Sequence, residues 1–373
     1  MTEQNEPAEI LSAVFSPGER TPALKPMELV DMRPDEVRVR IVATGICHTD
    51  ITLRDRLTQS TILGHEGAGV VEAVGADVRK VVPGDHVVLS FHYCGVCDSC
   101  SNHAPSYCRQ MPVLNLSGRR ADGSSALALD GQPVGSHFFG QSSFSTVSIA
   151  HERNVVKVPM DAPLELLGPL GCGFQTGAGT VLNVLKPEPG SSLAVIGCGA
   201  VGMSAVMAAR IRGCNPIIAI EPNEQRCSLV WELGAHIVLD PKRRGGVGDA
   251  VRAAAPDGVN YLIDTSGLGS VVSGFVELMA PRAKVVALAV NAKDPDLKVP
   301  LAAMIGRGLT VKGVVEGESL ADTFIPELVR LYLDGDFPID RLVQFYDFKD
   351  INHAIEDHEQ GRAVKPVLRM DPR

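Results

Sequence analysis

Cys94, Cys97, Cys100 and Cys108 are the densest set of reactive side chains in the sequence: a C-x2-C-x2-C run, closed by a fourth thiol after seven more residues. As thiolates, four such groups can converge on one tetrahedral zinc and leave no open position, so the site holds a loop together and does no chemistry. Ferredoxin-type iron–sulfur ligation starts the same way, but its fourth Cys comes after three residues and precedes a Pro. Here the gap is seven and Arg109 follows, which favours zinc. A nucleic-acid zinc module would need a basic stripe after the cluster, whereas Asp98 sits inside it and no such stripe follows.

A second set of metal-type residues is scattered. Cys47 lies in Thr44-Gly45-Ile46-Cys47-His48-Thr49-Asp50, His65 and Glu66 in Gly64-His65-Glu66-Gly67, and Cys172 in Gly168-Pro169-Leu170-Gly171-Cys172-Gly173. A lone Cys is more often a small buried hydrophobe than a ligand. No local spacing brings these residues together; only a fold can. Cys198, Cys214 and Cys227 complete the nine cysteines and read as core or helix residues.

Gly197-Cys198-Gly199-Ala200-Val201-Gly202 is a G-x-G-x-x-G. Among 37 glycines such a match could arise by chance, but this one follows an apolar run, Leu193 to Ile196, and opens a helical stretch, Met203 to Arg212. In that setting the glycines permit a tight turn, and the helix N-terminus offers N–H groups to a pyrophosphate. The next apolar run ends at Glu221, whose carboxylate can accept from ribose hydroxyls and repel a 2′-phosphate. The expectation is NAD over NADP.

The elements that must position these residues fall into two textures. The first half reads as short strands with turn signals: Val37 to Val42 alternates, Gly67 to Gly75 is flanked by glycine, and Pro83-Gly84 turns into the strand ending at Leu89. Gly, Ser and Pro then dominate from Ser117 to Ser143, which reads as a long surface excursion. From about residue 170 the apolar runs become continuous, at Leu193–Ile196, Ile217–Ile220, Tyr261–Asp264 and Lys284–Leu288. Helical stretches lie between them, Gly202 to Arg212 and Gln225 to Gly234. Strands buried on both faces and alternating with helices mean a parallel sheet of βαβ units.

Composition bounds the function. A chain of 373 residues is too long for one ordinary core, so two domains are expected. The net charge of −9 argues against nucleic acid or an anionic membrane as partner, and Lys242-Arg243-Arg244 is too short a basic run to offset it. Met1 to Glu9 is polar and acidic, unlike a secretion signal, and no apolar run approaches the length of a spanning helix. With thiols clustered as ligands, the expected compartment is the cytoplasm.

Taken in order, Gly64-His65-Glu66-Gly67-Ala68-Gly69-Val70-Val71, the Cys94–Cys108 cluster, Gly171-Cys172-Gly173 with Thr176-Gly177, and the glycine fingerprint resemble the zinc-dependent medium-chain alcohol dehydrogenases over nearly the whole chain. Phe138 to Phe144 and Leu164 to Gly173 are most similar to the aryl (benzyl) alcohol dehydrogenases. The resemblance implies an α/β fold in which a GroES-like β-barrel catalytic domain (residues 1–174 and 315–373) surrounds a doubly wound Rossmann NAD-binding domain (175–314), with the active site in the cleft between them.

The resemblance also assigns roles. Cys47, His65 and Cys172 would bind a catalytic zinc, a ligand set already familiar for alcohol dehydrogenase, and Cys94, Cys97, Cys100 and Cys108 a structural one, making two zincs per chain. Asp50 would orient His65, Glu66 would lie behind the metal, and Thr49 would bond the substrate oxygen and start a proton relay. Thr176 would pack near the nicotinamide. His48 and Lys365 would be phosphate contacts; Asn223 and Arg226, past Glu221, would touch the adenosine ribose, with Gly197, Gly199, Ala200, Val201 and Gly202 forming the phosphate turn. The position where known members end the relay in histidine is Thr52, so His48 or solvent becomes the expected terminal base.

These roles imply an NAD-dependent enzyme for primary alcohols and aldehydes, aromatic or allylic (terpenoid), with Phe91, Phe138, Phe139 and Phe144 lining or supporting an apolar pocket. A thiol-adduct (formaldehyde-type) dehydrogenase would need a basic recess, for which no cationic cluster is evident. A non-catalytic dinucleotide-binding protein would have no reason to keep Cys47, Asp50, His65 and Cys172 together. A homodimer or homotetramer is expected.

Overall fold

The strands foreseen in the second half do assemble into one sheet. In the computed structural model, which describes residues 9–242, 246–289 and 294–371, six parallel strands make up this sheet. Numbered within it they are β1 (Leu193–Ile196), β2 (Ile217–Ile220), β3 (Ile237–Leu239), β4 (Val259–Asp264), β5 (Met279–Ala287) and β6 (Thr310–Gly313). Their order, β3-β2-β1-β4-β5-β6, reverses direction beside β1, which is the doubly wound arrangement with a ligand crevice at the reversal. β1 and β2 are buried along their whole length, so they read as unbroken apolar runs with no alternation. Arg243 and Arg244 of the basic run, and residues 1–8 of the polar N-terminus, lie outside the described residues.

The chain divides into two units. One runs up to Cys172 and adds Leu320–Arg330 and the segment from Asp340 onward; the other is Gly173–Ser319 with Leu331–Ile339. The divisions therefore fall after Cys172 and Ser319, not after 174 and 314. Leu331–Ile339 joins the sheet unit because Phe337 is buried and Arg210 Nη2 donates to Asp336 O at 2.7 Å.

The first unit is built from two mostly antiparallel sheets. Strand Glu36–Gly45 is the hub of the larger: it pairs with Gly67–Val74, Val147–His151 and the C-terminal strand Lys365–Arg369. Register shifts along its pairing with Gly67–Val74 bend it. Chain ends distant in sequence thus meet, with Val367 opposite Gly45.

One sequence expectation is corrected here. The Gly- and Ser-rich stretch 117–143 is no surface excursion: it contributes strands Leu127–Leu129 and Gln132–Val134 and then turns inward, burying Phe138, Gln141, Ser142 and Ser143. Serine suits this interior because its hydroxyls are paired. Ser142 Oγ donates to Ile62 O at 2.6 Å, and Ser143 Oγ lies 2.7 Å from Thr44 Oγ1.

Candidate metal and dinucleotide sites

The first unit brings Cys47, His65, Glu66 and Cys172 together, with one ligand atom from each lying within 4.8 Å of the others. Cys47 stands at the N-cap of helix His48–Arg54, and Asp50 is the third residue of that helix. Asp50 Oδ2 accepts from Cys47 N at 2.9 Å, closing a capping box. Its Oδ1 accepts from Gly64 N at 3.1 Å and lies 2.8 Å from His65 Nδ1. One buried carboxylate therefore fixes both ligand-bearing turns. With Nδ1 engaged, His65 keeps Nε2 as its free ring nitrogen, and that buried atom has no hydrogen-bond partner among the described residues.

Cys172 arrives from a different direction. The loop Gly168–Gly171 presses so closely on the sheet that a Cβ on Gly168 would lie 2.3 Å from Glu66 O, and one on Gly171 2.1 Å from Leu89 O. Ser90 Oγ secures it by donating to Gly171 O at 2.8 Å. Gln141, which the sequence reading assigned no role, links the same parts: Nε2 donates to His65 O at 3.0 Å and Oε1 accepts from Gly67 N at 3.1 Å. Phe139 stacks on the His65 ring at 4.4 Å and Phe138 meets its edge at 5.7 Å. Phe91 and Phe144 are core residues that pack on Tyr93 and Phe15.

The electrostatics of this cluster favour a cation. The Cys172 thiol lowers the Cys47 pKa; burial opposes this, His65 assists, and the value ends well below the usual thiol range. Burial works against a charged His65, yet Asp50 and Cys47 raise its pKa well above normal. The negative charge that would hold a proton there would hold a dication more firmly. Two thiolates, an imidazole nitrogen and no competing hydrogen bond on Nε2 fit zinc.

Lys365 corrects a second expectation. It is buried, and its Nζ donates to Glu66 Oε2 at 2.8 Å, Glu66 Oε1 at 2.9 Å and Ile46 O at 3.1 Å. All three ammonium protons are engaged, so none is left for a phosphate. Burial opposes the charge, but Glu66 and Cys47 outweigh it and raise the Lys365 pKa. His48 is exposed, its ring centroid 6.3 Å from that of His358, and Thr52 Oγ1 donates to His48 O at 2.9 Å.

The four-cysteine loop also meets its geometric test. A tetrahedral zinc with Zn–S of about 2.3 Å requires sulfurs about 3.8 Å apart. The Cys97–Cys100, Cys94–Cys100 and Cys97–Cys108 pairs stand at 3.5, 3.9 and 4.0 Å. Backbone N–H groups point at the sulfurs, from Cys97 to Cys94 Sγ and from Cys94 to Cys108 Sγ, both at 3.3 Å. The Arg109 and Cys100 amides draw the Cys97 thiol down to about 6.

In the second unit, the glycine turn joins β1 to helix Ala200–Ile211. Gly202 is required because a Cβ there would lie 2.0 Å from Gly197 O, whereas at Gly199 a Cβ would meet nothing within 4 Å. The turn is closed on its own side and open outward, beside the unpaired first N–H groups of the helix, which suits a pyrophosphate. Glu221 accepts from Cys198 N at 2.7 Å and Asn223 N at 2.9 Å, so it braces the turn. Asn223 Oδ1 caps helix Glu224–Glu232 through Arg226 N, leaving its amide group and the Arg226 side chain for a ligand. Thr176 Oγ1 points to Glu316 at 3.5 Å. Cys198 and Cys214 are buried in this unit.

A Cys-Cys-His metal cluster in one unit and a doubly wound, glycine-turn sheet in the other define the class of zinc-dependent dehydrogenases. Residues 33–160 match the alcohol dehydrogenase GroES-like domain and residues 200–333 the zinc-binding dehydrogenase domain. The chain is 44% identical to geraniol dehydrogenase of Castellaniella defragrans over 93% of its length and 94% of that protein's. The crystal structure of benzyl alcohol dehydrogenase from Acinetobacter calcoaceticus superposes with a TM-score of 0.92 at 39% identity, covering 97% of this chain and 99% of that one. An alcohol dehydrogenase zinc-binding domain protein from Burkholderia ambifaria gives 0.94 at 45% identity, covering 98% and 99%. The chain belongs to the zinc-dependent medium-chain alcohol dehydrogenase family. Among the described residues, no helix is long and apolar enough to cross a membrane.

Proposed function

We propose that this protein oxidises primary aromatic or allylic terpenoid alcohols to aldehydes, and reverses the reaction, with NAD and two zinc ions per chain, one catalytic and one structural. The observation that carries the reading is the convergence of Cys47, His65 and Cys172 with His65 locked by Asp50. The aromatic or terpenoid preference is drawn from the geraniol and benzyl alcohol dehydrogenases it resembles. When bound, zinc would supply Lewis-acid polarisation of the alcohol oxygen, and NAD the acceptor for its hydride.

The chain's own residues do the rest. Asp50 holds His65 in the tautomer that leaves Nε2 as an electron-pair donor. Thr49, two residues past Cys47, would accept the alcohol's proton in a hydroxyl relay, with His48 or solvent taking it onward. Phe138 and Phe139 wall off one side of His65 and exclude water there. Lys365 keeps Glu66 engaged behind the cluster. Glu221 would accept from the adenosine ribose hydroxyls and repel the extra phosphate of NADP.

The exposed edge strand β6, with Leu301 and Ile305 at 75% and 81% exposure on the helix leading to it, supports a homo-oligomer. Keeping six zinc-binding thiols reduced suits the cytoplasm. The test combines metal analysis with benzyl, cinnamyl, geraniol and short aliphatic alcohols, each assayed with NAD and NADP. Two zincs per chain and a clear preference for ring or allylic alcohols with NAD are expected. Equal rates across the panel would refute the substrate assignment.

A further inference from the structure

A cavity of about 140 Å³ lies in the first unit, where the start of strand Glu36–Gly45 meets the segments on either side of the four-cysteine loop and the turn ending at Gly140. It has room for several waters or one tetrahedral oxyanion. Imidazole, guanidinium, carboxylate and amide groups line it, and none of them enters the proposed reaction. A buried polar cavity needs a reason, because each polar atom left without a partner costs free energy.

Hydrogen bonds fix where the imidazole protons sit. Ser136 Oγ accepts from the Ala126 and Leu127 amides at 3.1 and 3.4 Å, so its own proton goes to His137 Nδ1, 3.2 Å away. A neutral His137 then carries its proton on Nε2. His137 is 5% exposed, and that Nε2 makes no hydrogen bond, Glu36 Oε1 standing 3.5 Å off. His151 Nδ1 accepts from Arg153 N at 3.0 Å, which again places the proton on Nε2, with Asp35 Oδ2 and Arg153 Nη1 both at 3.5 Å. Burial lowers the pKa of both rings, so each is a neutral N–H donor on the cavity wall.

The charges on the wall are unequally matched. Glu36 is neutralised, its Oε1 and Oε2 accepting from Arg120 at 2.7 Å and Oε2 also from Arg33 N at 2.8 Å. Arg119, half-buried, is the opposite case: its three hydrogen bonds all go to neutral groups, Gln59 Oε1, Gly123 O and Ser125 Oγ. A guanidinium without a carboxylate partner, beside two imidazole N–H groups, suits an anion. One acceptor is also waiting. Asn154 Nδ2 donates to Ser90 O at 2.9 Å and Phe139 O at 3.0 Å, which sets the amide's orientation and leaves the buried Oδ1 without a hydrogen bond. His92 Nδ1, also on the wall, is likewise unbonded. We propose that the cavity binds the hydrogen phosphate ion. Arg119 and the Nε2 protons of His137 and His151 donate to its oxygens, and Asn154 Oδ1 accepts from its hydroxyl. Sulfate, which carries no proton at neutral pH, would leave Asn154 unpaired.

The test is calorimetric titration of the zinc-loaded full-length protein with potassium phosphate, potassium sulfate and glycerol 3-phosphate at constant ionic strength. Phosphate should bind, and sulfate about tenfold more weakly. Arg119→Gln should weaken phosphate about tenfold, and so should His137→Asn, which keeps an acceptor for Ser136 but loses the Nε2 proton. Arg252→Gln, on the exposed face of helix Val247–Ala254, should bind as wild type does. Should His137→Asn lose its cooperative melting transition, Arg119→Gln decides. No phosphate binding by the wild type up to about 10 mM would leave the cavity to water and overturn the proposal. Binding undiminished by Arg119→Gln would overturn it too, since the ion would then sit elsewhere, as at the glycine turn. Equal affinity for sulfate would overturn the choice of hydrogen phosphate, and glycerol 3-phosphate binding as tightly as phosphate would overturn the free ion in favour of a phosphate ester.

Discussion

Asp50 makes three contacts with two oxygens, and each holds a different part of the metal cluster: the Cys47 turn, the Gly64 turn and the His65 ring. Asp50→Asn would turn one of those acceptors into a donor facing an N–H, so the ring would lose its orientation while the fold survived. Activity and catalytic-zinc affinity should drop by about 10- to 100-fold with the melting temperature little changed. Turnover measured beside metal content checks this, and unchanged activity would dismiss the orienting role. Cys172→Ser should remove one zinc per chain and cut kcat by on the order of 10³, while NADH still binds to the separate glycine-turn unit. At this scale the sequence was legible where residue type alone decides, as for thiols and the glycine turn. It was misleading where pairing decides. Lys365 has the charge for a phosphate, but strand Lys365–Arg369 lies against the strand ending at Gly45, which delivers its ammonium to Glu66.

At the scale of elements, the loop from Cys94 to Cys108 has little but its thiols to hold it. Its helical pieces, Asp98–Ser101 and Pro105–Tyr107, are single turns too short to persist alone, and Val96 is 78% exposed. Zinc bound there would replace a core. Cys100→Ser should therefore lower the melting temperature and open the loop to limited proteolysis, leaving the catalytic zinc in place; a variant as protease-resistant as wild type would contradict the staple role. The segment after the loop is held by a different device. Arg120 donates to Glu36 through Nε and Nη2, both at 2.7 Å, anchoring residues 117–125 to the hub strand. Burial alone would raise the Glu36 pKa, but His137, Arg120 and the Arg33 amide outweigh it and lower it from 4.5 to about 2. Its folded-state pKa is depressed, so the stabilisation is present above pH about 4.5 and fades as pH falls toward about 2; allowing for solvent screening it is on the order of 2 kcal/mol. The stability gap between wild type and Glu36→Gln, measured by urea unfolding, should close across that window. A gap independent of pH would show that the lost contact is not the charge. The 117–143 stretch hid this role because composition reports glycine and serine, not whether a hydroxyl finds a buried partner.

For the whole molecule, the parallel sheet was readable because strands buried on both faces leave continuous apolar runs, whereas the antiparallel unit was only half readable. Its closure depends on Lys365–Arg369 returning to Glu36–Gly45, a pairing between distant segments that no local pattern encodes. Assembly is the remaining level, and the sheet unit bears on it. β6 is an edge strand, and an edge offers unpaired N–H and C=O groups that proteins usually cover. The helix Leu301–Arg307 leading into it buries none of its residues and leaves Leu301 and Ile305 among the most exposed large apolar side chains described. An edge with adjoining apolar side chains suits a second copy of the same edge related by a two-fold axis, since such an interface is self-complementary. Ile305→Asp would place a carboxylate in that interface opposite its own copy, which burial and like charge both penalise. Analytical ultracentrifugation should find the wild type as a dimer or tetramer and Ile305→Asp shifted toward a smaller species, with both zincs retained because neither cysteine set lies in this unit. A wild type that sediments at 39.6 kDa, the mass of one chain, would end the proposal, and a variant with unchanged mass would move the interface away from this edge.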